Sequence, residues 1–219
     1  MYFKITLNKK YKLDKVGGTK LGIMKKTKTL IIEDLKKRLE IKNIETKLHT
    51  DRVSNYCIEM AKELGLSDEM IKKAGRVGTL HDIGKIAISD KILLKPGKLT
   101  EYEYEIMKTH SQEGYKLACL IPEIKDIAKE ILTHHERWDG NGYPMGLKDK
   151  EIPILSRIVS IADSFDAMTE NRCYSKARTI EEGILELKRC SGTQFDPDLV
   201  NIFINKIILK NNIIDEKKI

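Results

Sequence analysis

Proline and aromatic side chains are scarce in this chain of 219 residues: five prolines, and Phe, Trp and Tyr together at 6%. With so few helix-breaking residues and with apolar positions at helical spacing, a mostly helical fold is expected. No apolar run approaches the roughly 20 residues that a membrane-spanning helix needs. The segment from Met1 to Lys12 carries charges too early and too often for a signal-peptide core. The four cysteines, Cys57, Cys119, Cys173 and Cys190, form no C-x-x-C pair and share no short spacing. That argues against a structural zinc site or a disulfide framework and fits a reducing, cytoplasmic setting. No basic stretch is interleaved with aromatics, so a nucleic-acid polymer is not the expected partner. Strand pairs with hairpin turns and internal repeats are absent from the pattern.

What is present is charge and helical periodicity. Charged residues make up 33% of the chain and hydrophobic ones 41%, and the formal net charge is +7. Lysines scattered over solvent faces account for the charge, and the resulting field also favours an anionic substrate. Residues 1–28 are basic, broken by Gly17-Gly18, and read as a short N-terminal extension; residues 29–219 read as one all-α domain. Helical signals start near Thr29. A strong helix carries Val53, Cys57, Met60 and Ala61 on one face and stops at Gly65, with Glu45 and His49 projecting to the same side. Another opens at Ser67 and runs past His81 to Gly84. Thr100 and Glu103 spell a capping box for a helix carrying Met107, His110, Leu117 and Ile121; Thr179 and Glu182 spell a second box. Ile124 to His135 repeat on one helical face, Asp139 to Gly146 form a loop, and helices follow from Pro153 and from Asp196-Pro197.

The chemistry rests on the histidines. There are five, His49, His81, His110, His134 and His135, each on or at the end of an expected helix. Glu45 precedes His49 by one turn, Asp82 follows His81, Glu136 follows the pair, and Asp163 stands among Ile161, Ala162 and Phe165. One histidine on an apolar face is usually a satisfied core residue. So many ionisable groups buried together are costly unless something compensates them. Imidazole and carboxylate without thiolate suit iron, manganese or zinc. On a helix His81 and Asp82 diverge by about 100°, which suits a carboxylate bridging two metals. Lys85, three residues after Asp82, supplies a cation for a phosphoryl oxygen. Close metals provide an attacking hydroxide at neutral pH and clamp both reacting oxygens, which is phosphoester hydrolysis.

These residues resemble a known family. L-H-D-I-G-K around His81-Asp82 is the signature of the HD superfamily of metal-dependent phosphohydrolases, and H-H-E-R-W-D-G-N-G-Y-P from His134 to Pro144 looks like the motif of its HD-GYP subfamily. The likeness runs from about Glu45 to Val200. It implies a helical phosphodiesterase that hydrolyses cyclic di-GMP to pGpG or GMP through a metal-bridging hydroxide. It further implies two or three ions, iron or manganese, held by His49, His81, Asp82, His110, His134, His135 and Asp163, with Glu45 for a third. Lys85 and Asp82 become catalytic, and Tyr143, Arg172 and Lys176 become substrate contacts. Ser175 departs from the family's second basic position, which leaves cyclic GMP-AMP open as a substrate. A non-catalytic signalling adaptor and a mononucleotide or (p)ppGpp hydrolase are the competing readings. A diguanylate cyclase or another signalling protein is the protein partner such a domain implies.

Overall fold

The computed structural model describes residues 30–31, 33–35, 37–39, 47–170 and 177–209. The chain divides into two compact units, 1–34 and 35–219. In the first, the described residues 30, 31, 33 and 34 are helical. The rest of the description concerns the second, which is all-α: among the described residues there is no sheet, only an isolated bridge between Ser191 and Phe195.

Helix α1 spans Lys47–Glu63 and α2 Asp68–Leu80. Gly65, at φ 64°, ends the first, and Ser67 opens the second by accepting the Met70 N–H at 3.3 Å. The two helices pack on each other and on α7, Ile154–Thr169. Between them lie Val53, Met60, Val77, Leu80, Ile158 and Ile161, all fully buried. Each such side chain contributes roughly 1.5–3 kcal/mol on leaving water. After α2 come a 3₁₀ segment, Ile83–Ala87, and α3, Asp90–Leu93. Next are α4, Glu101–Lys108, and α5, His110–Leu120. A 3₁₀ turn, Lys125–Ile127, leads to α6, Ala128–Thr133. Beyond α7 lie α8, Ile180–Cys190, and α9, Pro197–Ile202, which passes into a π-helical turn, Phe203–Ile208. Both capping boxes form, at Thr100/Glu103 and at Thr179/Glu182. Among the described residues, no helix is long and apolar enough to cross a membrane.

Three expectations need correction, and each concerns a histidine. Helix α2 stops at Leu80, so His81 and Asp82 lie past its end, not on it; Asp82 has φ −94° and ψ 11°. The single helix expected from Thr100 to Ile121 is two. It breaks at Thr109, whose hydroxyl and N–H both donate to the Ile106 carbonyl, and the break leaves His110 on the first turn of α5. The helix expected to reach His135 ends at Thr133, where the His134 ring donates to the Ile131 carbonyl at 2.7 Å. The last carbonyls of a helix have no partner within it, and here an imidazole takes one.

Candidate metal centre

Helix ends and breaks aim the imidazoles inward. Nδ1 of His81, His110 and His134 lies 3.0, 2.7 and 2.7 Å from the carbonyl three residues earlier, of Gly78, Met107 and Ile131. A carbonyl only accepts, so Nδ1 carries the proton and Nε2 presents a lone pair to the centre. Nδ1 of His49 lies 2.6 Å from Oδ2 of Asp166.

Two sets of ligand atoms result, each gathered within 4.8 Å: His49, His81 and Asp163, and Asp82, His110, His134 and His135. Asp82 faces both. Its Oδ2 lies 3.4 Å from Nε2 of His81, and its Oδ1 lies 3.1 Å from Nε2 of His110 and 3.7 Å from Nε2 of His134. Nε2 of His49 is 3.5 Å from Oδ1 of Asp163. Nε2 of His110 stands 3.3 Å from that of His134 and 3.1 Å from that of His135.

This arrangement fits divalent cations. The facing nitrogens of His110 and His134 both hold lone pairs, which repel unless a cation lies among them. Oδ1 of Asp82 is buried and receives no hydrogen bond of good geometry from the imidazoles around it. Burial pushes the Asp82 carboxyl up, but the charge beside it, the Lys85 ammonium first, outweighs burial and holds it well below the usual range. Burial also holds the His134 imidazole down, at about 4, and with the two neighbouring rings keeps His135 well below its ordinary value. His134 and His135 are thus kept neutral, as ligands must be.

A pH dependence follows. Unfolded, His134 takes a proton near its ordinary value of 6.5; folded, only near 4. In that window the unfolded chain binds more protons, so stability rises with pH and is lost as pH falls. His134 alone removes on the order of 3 kcal/mol across the window. Urea unfolding of the metal-free chain at both ends of the window measures this, and equal stabilities would contradict it.

The structure brings together seven of the eight expected ligands, His49, His81, Asp82, His110, His134, His135 and Asp163. Glu45, and the expected substrate contacts Arg172 and Lys176, lie outside the described residues. The Lys85 ammonium contacts Oδ2 of Asp82, at the junction of the two sets. The Tyr143 ring stacks on His135 at 4.9 Å and 28°. Glu136, the carboxylate beside the histidine pair, turns away and accepts the Met145 and Leu147 N–H groups at 2.7 and 3.0 Å, which folds the loop under Tyr143. Gly142 is needed there, because a Cβ would meet the Arg137 nitrogen at 2.3 Å.

Sequence reasoning missed two residues. Asp166 is buried, and its carboxylate receives Arg52 Nε at 2.5 Å besides His49. Burial raises its carboxyl, and the bonds from His49 and Arg52 bring it below the ordinary value. The signal was a second acid one turn after Asp163, between Phe165 and Ala167, facing an arginine three residues after His49. Asp166→Asn removes the charge that orients His49, and is expected to weaken metal binding about 10–100-fold. Metal titration by calorimetry reads this; unchanged affinity would make Asp166 a mere packing residue.

The fold and this cluster define an HD-type domain equipped to coordinate divalent metals. A protein-family model described as "HD domain" matches residues 33–199. The chain belongs to that HD family, and within it is HD-GYP-like. It is 45% identical over 176 residues to a cyclic di-GMP phosphodiesterase of Thermotoga maritima, covering 80% of this chain and 48% of that protein. It is 40% identical over 186 residues to the 3'3'-cGAMP-specific phosphodiesterase 2 of Vibrio cholerae, covering 83% of this chain and 35% of that one. The crystal structure of a cyclic GMP-AMP-specific phosphodiesterase of V. cholerae shares the fold, with a TM-score of 0.64 at 22% identity over 83% of this chain and 48% of that chain. This chain thus spans about half, or less, of the length of these relatives.

Proposed function

We propose that the chain is a metal-dependent phosphodiesterase that hydrolyses cyclic dinucleotides, with cyclic di-GMP as substrate and pGpG or GMP as product. The observation that carries this is Asp82, a buried carboxylate shared by two imidazole-rich ligand sets with a lysine beside it. His49, His81, Asp82 and Asp163 would hold one ion, and Asp82, His110, His134 and His135 another. Iron or manganese bound there would supply Lewis acidity and a nucleophile active at neutral pH. The Lys85 ammonium, held by Asp82, steadies charge that develops on the phosphoryl oxygens. Tyr143, stacked on His135, borders the substrate, and Arg172 and Lys176 grip its phosphates or base. Glu45, four residues before His49 in the sequence, would add a ligand for a third ion.

Cyclic GMP-AMP is the second reading, and the likeness to a 3'3'-cGAMP-specific relative favours it. Anaerobic purification, metal analysis and assay against both dinucleotides test the proposal. Two or three equivalents of metal with turnover are expected, three if Glu45 binds an ion. A chain that folds, takes up no metal and hydrolyses neither compound would be a signalling adaptor. Lys85→Ala is expected to lower kcat about 10²–10³-fold at unchanged metal content; an unchanged kcat would remove Lys85 from the mechanism.

A further inference from the structure

A cavity of about 260 Å³ is lined by Glu105, Lys108, Thr109, Gln112, Tyr143 and Pro144. It stands one side chain from the centre: Tyr143 stacks on His135, and Thr109 directly precedes His110. Pockets that enclose a whole drug-sized ligand run to roughly 300–1,000 Å³, so this one suits a single fragment of a dinucleotide, such as one base. Its lining combines four polar side chains with one ring and one proline. Helix α4 presents an acid and a base to it one turn apart, Glu105 and Lys108, paired at 2.6 Å. The Lys108 ammonium also lies over the Tyr143 ring, 5.6 Å from its centroid.

We propose that this cavity is a guanine subsite in which Glu105 and Lys108 read the base beside Tyr143. The proposal rests on the cyclic-dinucleotide function given above. Guanine presents two neighbouring N–H donors, at N1 and N2, and next to them the O6 acceptor. A carboxylate accepts the two parallel N–H bonds, and an adjacent ammonium donates to O6. Adenine offers a lone pair at N1 in place of the donor, so a carboxylate there repels it. The Glu105–Lys108 pair places one charge of each sign side by side, which matches the guanine edge and mismatches the adenine edge. Gln112 and Thr109 add donors and acceptors that serve either purine and do not discriminate.

The test is kinetic and uses the full, metal-loaded chain. Glu105→Gln is expected to raise KM for cyclic di-GMP about 10- to 100-fold, the loss of one bidentate base contact. The inhibition constant of cyclic di-AMP, measured as a competitor, is expected to stay level or improve. Lys108→Gln should act in the same direction. Both side chains lie at the cavity rim, and metal content establishes that the centre survives. A merely structural effect would move KM and the inhibition constant together, and that result overturns the proposal, as does an unchanged KM in both variants. A wild-type chain that turns over no cyclic dinucleotide would instead overturn the function itself, and the subsite with it.

Discussion

Asp82→Ala is expected to abolish stable metal binding in both ligand sets and to lower phosphodiester hydrolysis by ~10³-fold or more. Asp82 faces both groups, with Oδ2 towards His81 and Oδ1 towards His110 and His134. Without it, His110, His134 and His135 remain with no anion in their set to balance a dication. Lys85 loses the carboxylate that holds it at the junction, while its positive charge stays beside the site. Metal-assisted stabilisation is worth several kcal/mol, and each 1.36 kcal/mol is tenfold in rate, hence the size of the loss. Metal analysis and steady-state kinetics of the variant read both effects. A variant that keeps its metals would show that the two sets bind ions independently, and the shared-carboxylate mechanism would fall.

Gly84→Ala is expected to cost about 3 kcal/mol of stability and to weaken metal binding through His110, although Gly84 is not itself among the ligands. A methyl at Gly84 would stand 1.8 Å from the His110 carbonyl oxygen and 2.4 Å from the Gly114 nitrogen. Both atoms are backbone, so no side-chain rotation relieves the clash. The 3₁₀ segment that follows Asp82 and helix α5 must separate instead. Overpacking of this kind costs roughly 1–3 kcal/mol, or more when backbone must move. For a chain of this size that lowers Tm by about 6–12 °C. The shift carries His110 away from His134 and His135, and a displacement near 1 Å can cost about 10²-fold in activity. Gly114→Ala is the internal comparison. There a methyl meets the Cγ2 methyl of Ile131 at 2.7 Å and the Gly84 backbone nitrogen only at 3.1 Å, and a loss of about 1 kcal/mol is expected. Thermal unfolding of the two variants, with and without metal, separates them. Equal Tm values would mean that the close approach of the two backbones is not what sets the spacing.

What could be read before the fold was known follows a physical division. Capping boxes at Thr100 and Thr179, the stop at Gly65 and the apolar stripe of α1 depend on residues a turn or two apart, so composition and spacing suffice for them. The ligand types were legible for a related reason: imidazoles and carboxylates set in apolar helices are costly to bury without a cation. Helix ends were read less well. Thr109, Leu80 and Thr133 sit where side-chain bonds to carbonyls compete with the helix, and helical periodicity does not weigh that competition.

The sequence alone thus determined an all-α domain, the identity of its chemical groups and the family to which its motifs belong, because these rest on local pattern and on side-chain chemistry. Only the tertiary structure decided how those groups are shared out. It set His49 beside Asp163 and Asp166, more than a hundred residues away, divided the histidines between two sets with Asp82 facing both, and turned Glu136 into the loop under Tyr143. These are contacts between distant segments. They are fixed by how α1, α2, α5 and α7 pack, which no spacing along the chain encodes.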